Sequence, residues 1–229
     1  MIRFDQAAVR VDDHRGEPKE LLAPVDLELT EPRVAIIGAN GSGKSTLLRL
    51  INGLVTPSSG RVEVAGLDVA RDPRGVRRKV GFIFTDPMAQ LVMSTPVEDI
   101  ELSLRRSLPK KAERRERALH LLAEHGLADA AHQSIHELSG GERQLVSLTT
   151  VLAVDPEVLV ADEPTTLLDL RNRNRLHRVL TGLRQQLIVS THDLELAAAC
   201  DRVIVIDDGR VGDDGAPDRV LPAYREAMA

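Results

Sequence analysis

Aromatic residues are nearly missing from this sequence: 229 residues include no tryptophan, one tyrosine and three phenylalanines. Hydrophobic content is still 42%, so a sizeable core is available, and it must be built from Leu, Val, Ile and Ala. Cysteine is equally scarce. The single Cys200 excludes an internal disulfide and fits a reducing compartment. It follows Ala197, Ala198 and Ala199 and reads as a buried packing residue. No stretch approaches the roughly 20 apolar residues of a membrane span. Arg3, Asp5 and Arg10 interrupt any apolar run that could form a signal peptide. Any membrane role is therefore expected to be peripheral, through another protein. Excess positive charge is lacking too, with 35 acidic side chains against 30 basic ones. No nucleic-acid partner is expected from that balance, and the basic runs within 71–79 and 105–115 read as solvated faces.

What is present is a succession of short apolar runs. Residues 34–37, 158–161 and 187–189 are continuous and rich in β-branched side chains, the pattern of strands buried on both faces. Helical patterns at 45–52, 140–154, 171–183 and 193–199 alternate with them, and strand 203–206 precedes a hairpin at Asp208-Gly209. This order predicts an α/β fold with a largely parallel core sheet. Residues 1–11 alternate as an edge strand or hairpin, before a polar turn at 12–20 in which His14 is expected at the surface. Together with a short strand pattern at Leu27 and Leu29 they suggest an N-terminal β portion. Helices are expected at 97–106 and 110–125. Residues 86–154 lack buried-strand signals, which predicts a helical subdomain inserted into a single domain spanning 1–229.

Residues 38–45 read Gly38-Ala39-Asn40-Gly41-Ser42-Gly43-Lys44-Ser45, a complete match to G-x-x-x-x-G-K-[ST] between a buried strand and a helix. Three glycines let the backbone curl so that Asn40, Gly41, Ser42 and Gly43 turn N–H groups toward a polyphosphate. The helix N-terminus adds favourable potential for an anion. Lys44 reaches the β- and γ-phosphates as a point charge, Ser45 offers a hydroxyl to Mg²⁺, and Thr46 adds a contact. ATP and Mg²⁺ are the expected cofactors.

Strand 158–161 delivers two adjacent carboxylates, Asp162 and Glu163, at its C-terminal end, where parallel sheets place ligands. Asp162 is expected to hold Mg²⁺ through water, and Glu163 to take the proton from the attacking water. His192 follows the third buried run and should emerge on the same rim, placed to bond the γ-phosphate or orient the water.

Leu138-Ser139-Gly140-Gly141-Glu142-Arg143-Gln144 adds a second glycine-rich helix start, with Ser139 as cap. This heptapeptide resembles the signature of ATP-binding-cassette ATPases, and the likeness runs from Ile2 to about Gly215. The resemblance implies the P-loop NTPase cassette fold, with an N-terminal antiparallel β portion beside the core sheet. It also implies a head-to-tail pair with a second cassette subunit, expected to be an identical copy. Ser139, Gly140, Gly141 and Glu142 would then contact a nucleotide held mainly by the partner, and Asp169 would lie at the dimer seam. An integral membrane coupling protein would ride on the helical subdomain at the cytoplasmic face, beside a substrate-binding membrane protein.

Within that family, residues 80–104 resemble energy-coupling-factor vitamin importers. Phe84-Thr85-Asp86-Pro87 and Ala89-Gln90 look like the subtype dedicated to biotin. Two departures stand out. Thr85 occupies the place of the usual coupling glutamine, leaving Gln90 either to substitute for it or to serve partner coupling alone. Neither Val9 nor Val11 supplies the aromatic ring on which the family commonly stacks adenine, so loose base selectivity is expected. Import of cobalt, nickel or another vitamin remains an alternative, as does a soluble cassette ATPase outside transport. The latter usually carries long coiled insertions, which this sequence lacks.

Overall fold

A computed structural model describes residues 1–12, 15–166 and 168–228; His14 and part of the expected polar turn lie outside them. The chain begins with β1 (Ile2–Asp12), β2 (Pro18–Leu29), β3 (Arg33–Ile37), α1 (Lys44–Ile51), β4 (Ser59–Val64) and β5 (Leu67–Asp68). Then come α2 (Pro73–Lys79), β6 (Val80–Ile83), α3 (Pro96–Leu104), α4 (Lys111–Glu124) and α5 (Gly140–Leu152). The remainder is β7 (Val158–Asp162), α6 (Leu170–Thr181), β8 (Gln186–Ser190), α7 (Leu194–Ala198), β9 (Arg202–Asp207), β10 (Arg210–Gly215) and α8 (Pro217–Ala227). Among the described residues no helix is long and apolar enough to cross a membrane.

Two compact units divide the chain, one of residues 1–82, 157–163 and 180–229, the other of 83–156 and 164–179. In the first, the three apolar runs become β3, β7 and β8 of a six-stranded sheet ordered β10-β9-β3-β8-β7-β6. β3 runs parallel to both β8 and β9, β7 runs parallel to β8, and β10 returns antiparallel to β9. Val34, Ala35, Ile36, Leu159, Val160, Ala161, Ile188 and Val189 have no exposure at all, as two covered faces require. Leu47, Leu48, Leu50 and Ile51 of α1 are equally buried. Truncating any one of them to Ala should cost about 2–5 kcal/mol, because such an interior collapses only partly around a void.

A second, antiparallel sheet has the order β2-β1-β4-β5. The expectation of a hairpin at the N-terminus holds, since β1 pairs with β2. The alternative of an edge strand does not: β1 also pairs with β4 and lies inside the sheet. Its alternation breaks after Phe4, where the register shifts and Gln6 takes φ 46°, which hides a central strand behind an irregular pattern.

The basic run at 71–79 is partly helix α2. Asp72 caps it, accepting from the Gly75 N–H at 2.8 Å, and Pro73 opens it. In the second unit, Asp99 of α3 is buried and accepts from the N–H groups of Val92 and Met93 at 3.1 and 3.2 Å. Burial raises its carboxyl above the usual range against the lowering pull of those two bonds. A short 3-10 turn, Pro87–Ala89, capped by Asp86, precedes this segment.

Candidate active site

Sheet register decides which side chains meet. Ile36 of β3 and Asp162 of β7 both lie beside Ser190 of β8. The chain therefore leaves all three strands at one edge, carrying residues 38–46, Glu163 and His192 to the same rim. This is the crevice outside the carboxyl ends of a parallel sheet.

Loop 38–43 is held by one bond from Gly209 and one of its own. The Gly209 N–H donates to Ser42 O at 2.8 Å, and the Ser42 N–H to Ala39 O at 3.2 Å. Gly38 and Gly43 have φ of 146° and 108°, and a Cβ on Gly43 would stand 2.9 Å from Leu21 O. Such a backbone accepts only glycine. At Gly41, φ is 78° and open space faces the position of a Cβ. Helix α1 starts at Gly43 with no side-chain cap, so the N–H groups of its first turn have no partner within the helix.

Lys44 is buried at 5% exposure. Its Nζ donates to Gly38 O and Ala39 O, each at 2.9 Å, and lies 4.0 Å from Glu163 Oε1. Burial lowers the pKa of its ammonium, while Glu163 and Asp162 pull it back up.

Asp162 is held by two hydroxyls. Ser45 Oγ donates to its Oδ1 at 3.0 Å and Ser190 Oγ donates to the same oxygen at 2.7 Å. A hydroxyl and a carboxylate side by side are hard oxygen donors, the chemistry Mg²⁺ takes in small number while keeping water and phosphate oxygens. The residues fit the ion. When bound, Mg²⁺ would neutralise phosphate charge beside Ser45 and Asp162.

Glu163 has φ 49°, a left-handed conformation uncommon outside glycine. Its N–H donates to Ser190 O at 3.1 Å and to Ser190 Oγ at 3.0 Å, and its Oε2 accepts from the His192 N–H at 3.1 Å. Oε1 is buried with no aligned hydrogen bond, although His192 Nε2 lies 3.2 Å away. A buried carboxylate oxygen with spare acceptor capacity suits a proton acceptor. His192 Nε2 also meets Asn40 Oδ1 at 2.8 Å, so the imidazole bridges the phosphate loop and Glu163.

The first unit thus brings together Gly38, Asn40, Gly41, Ser42, Gly43, Lys44, Ser45, Thr46, Asp162, Glu163 and His192. Ser190 was missed by sequence reasoning: a serine ending an apolar strand carries little signal, yet it touches both carboxylate residues. Lys19 and Leu21 were missed as well and line the rim beside Lys44 and Thr46. Val9 is buried and Val11 exposed, and neither carries a ring.

In the second unit Ser139 caps α5 in a reciprocal arrangement. The Glu142 N–H donates to Ser139 Oγ at 3.3 Å, and the Ser139 N–H donates to Glu142 Oε2 at 2.8 Å. Ser139 Oγ also donates to Glu142 Oε2 at 2.7 Å. These bonds hold the Glu142 carboxyl below its usual range. Gly140 and Gly141 open the helix, Asp169 precedes α6, and Thr85 and Gln90 flank the 3-10 turn. Gln90 Oε1 faces the Phe84 N–H at 3.5 Å.

A mononucleotide-type loop, a carboxylate pair at the adjoining strand end and a second glycine-rich helix start define a class of ATPase. The family model described as ABC transporter matches residues 22–166, and the chain belongs to that family. It is an ATP-binding-cassette ATPase of the energy-coupling-factor type. The biotin transport ATP-binding protein BioM of Rhizobium etli is 45% identical, over 100% of this chain and 99% of its own. The energy-coupling factor transporter ATP-binding protein EcfA1 of Bacillus subtilis is 35% identical, over 92% of this chain and 77% of its own. Among solved structures, the dimeric post-hydrolysis state of the cassette MJ0796 bound to ADP and Pi matches with a TM-score of 0.86. It is 30% identical and covers 95% of this chain and 99% of that one.

Proposed function

We propose that this chain drives import of biotin, working as a single cassette in a head-to-tail pair of identical copies. The phosphate groups of ATP lie on residues 38–46, with Lys44 meeting the β- and γ-phosphates. Ser45 and Asp162 hold Mg²⁺. Glu163 accepts the proton of the attacking water, and His192 orients that water or the γ-phosphate. Ser139, Gly140, Gly141 and Glu142 face the nucleotide of the partner copy, and Asp169 lies at the seam. Closure on ATP and reopening after hydrolysis move an integral membrane coupling protein at the cytoplasmic face. A second membrane protein binds the vitamin.

The observation that carries the catalytic part is Asp162 Oδ1, which accepts from both Ser45 Oγ and Ser190 Oγ and so ties the phosphate-loop helix to two strand ends. The choice of biotin is supported by Phe84-Thr85-Asp86-Pro87 and by the end-to-end likeness to a protein named for biotin transport. Gln90 Oε1, 3.5 Å from the Phe84 N–H, supports a place for this side chain in the coupling segment over one at Mg²⁺.

Copurification with the membrane partners, followed by uptake of labelled biotin into vesicles containing ATP, tests the whole reading. Accumulation with the wild type and its loss with Glu163→Gln is expected. Uptake of cobalt, nickel or another vitamin in place of biotin would overturn the substrate. Failure to copurify with any integral membrane protein would favour a soluble ATPase.

A further inference from the structure

In the second unit two helix starts lie against each other, and one side chain joins them. Asp169 precedes α6 as its cap: Asp169 Oδ1 accepts from the Asn172 N–H at 2.8 Å, and Asp169 O accepts from the Arg173 N–H at 2.8 Å. The Asn172 side chain then turns back, and its Nδ2 donates to Asp169 Oδ2 at 3.0 Å. Both oxygens of the Asp169 carboxylate are thus engaged by one residue. The same amide side chain packs on the start of α5. A Cβ added to Gly141 would stand 2.6 Å from Asn172 Cβ and 2.5 Å from its Nδ2. Only glycine admits this approach. Ser139, Glu142, Asp169 and Asn172 line one concavity.

One turn further along α6, Arg175 Nη2 donates to His125 O at the end of α4, beside Gly126 with φ 63°. The positive charge of Arg175 also helps lower the Glu142 carboxyl, after the two Ser139 bonds. Residues 169, 172 and 175 share one face of the helix at spacings of three. That face contacts the start of α5 and the end of α4. The first turn of α6 therefore packs on the Ser139 segment through the Asn172 side chain.

We infer that Asn172 is a positioning residue for hydrolysis: it holds the Asp169 carboxylate and the Gly140-Gly141 backbone in one register, so that both meet the partner copy together. The inference rests on the head-to-tail pairing proposed above, in which both segments face the partner. Asn172 belongs to the second unit, whereas the phosphate loop belongs to the first. Its loss should leave nucleotide affinity of the single chain intact and lower turnover of the closed pair.

The test uses the full chain in its membrane complex. Mg-ATP affinity of each purified variant is measured by equilibrium titration, and kcat and KM by phosphate release. Asn172→Ala is expected to keep affinity within about twofold while kcat falls about tenfold. Asn172→Asp keeps the shape of the side chain but sets a second carboxylate against Asp169, and should lose at least as much. Wild-type kcat in either variant overturns the inference. A KM rise with kcat unchanged overturns it as well. Should Asn172→Ala fail to fold by thermal melting, the isosteric Asn172→Asp decides alone. Ser139→Ala, run alongside, separates the two layers. If it loses turnover while the Asn172 variants do not, the pairing stands and this inference fails. If Ser139→Ala turns over as wild type, both fall.

Discussion

The starts of α1 and α5 are both glycine-rich and both preceded by a residue suited to end a loop, yet they are finished in opposite ways. Gly43 gives α1 no side-chain cap, and Lys44 folds its ammonium against loop carbonyls at 2.9 Å. At α5, Ser139 and Glu142 close a reciprocal box around the first turn. An uncapped helix end with a buried cation beside it is unfinished without an anion. A boxed end pairs the Ser139 and Glu142 N–H groups within its own chain, and the Gly140 and Gly141 backbone lies between them. The difference supports the division of work proposed above, in which the first end grips the chain's own nucleotide and the second meets one held by another copy.

The largest effect that breaks this comparison is expected from Lys44→Ala. The open end then keeps only backbone donors. Mg-ATP affinity at moderate salt should fall at least about a hundredfold, on the order of one or two charge-assisted hydrogen bonds. Near-wild-type binding in a titration would remove the phosphate loop from the account. Ser139→Ala acts on the closed end. It should leave single-chain affinity for Mg-ATP unchanged while costing about 1 kcal/mol in denaturant stability, the usual worth of a cap.

Glu142→Ala sharpens the same contrast through pH. The folded-state pKa of Glu142 is depressed, so its stabilisation is complete above the unfolded value of about 4.3 and is lost as pH falls through the folded value. The stability gap between wild type and Glu142→Ala should be constant near neutrality and shrink in acid below about pH 4. A gap that widens in acid would contradict the box. The smallest effect concerns the base. With the open end gripping phosphates as proposed, and neither Val9 nor Val11 carrying a ring, specificity constants for ATP and GTP should agree within about tenfold. A preference above about a hundredfold, near 2.7 kcal/mol, would reveal a strong adenine contact.

Much of this contrast was legible in the sequence. The phosphate loop, the Asp162-Glu163 pair and His192 follow buried apolar runs, and a parallel sheet with β-branched strands leaves little choice about where such residues emerge. Ser139 and Glu142 are spaced as a capping box, three apart. Harder to read were residues whose role depends on partners distant in sequence. Ser190 looks like an ordinary strand end until register sets it beside Asp162. Asn172 looks like a surface helix residue until Gly141 supplies the space for it. Helix α2 lacks apolar periodicity, and its only announcement is Asp72-Pro73. The bulges of β1 broke the alternation that would have marked a central strand.

The most direct test of the division between the two helix ends is made in Glu163→Gln, which keeps the size of the side chain but removes the proton acceptor and should slow hydrolysis about a hundredfold or more. Light scattering, with phosphate release and ATP titration, is measured in ATP and in ADP. Glu163→Gln should bind ATP and double its mass from the 25.0 kDa chain in ATP but not in ADP. Adding Lys44→Ala should abolish both binding and pairing, whereas adding Ser139→Ala should abolish pairing and leave binding intact. Loss of ATP binding on adding Ser139→Ala, or undiminished pairing with it, would contradict the assignment of one end to the chain's own nucleotide and the other to its partner's.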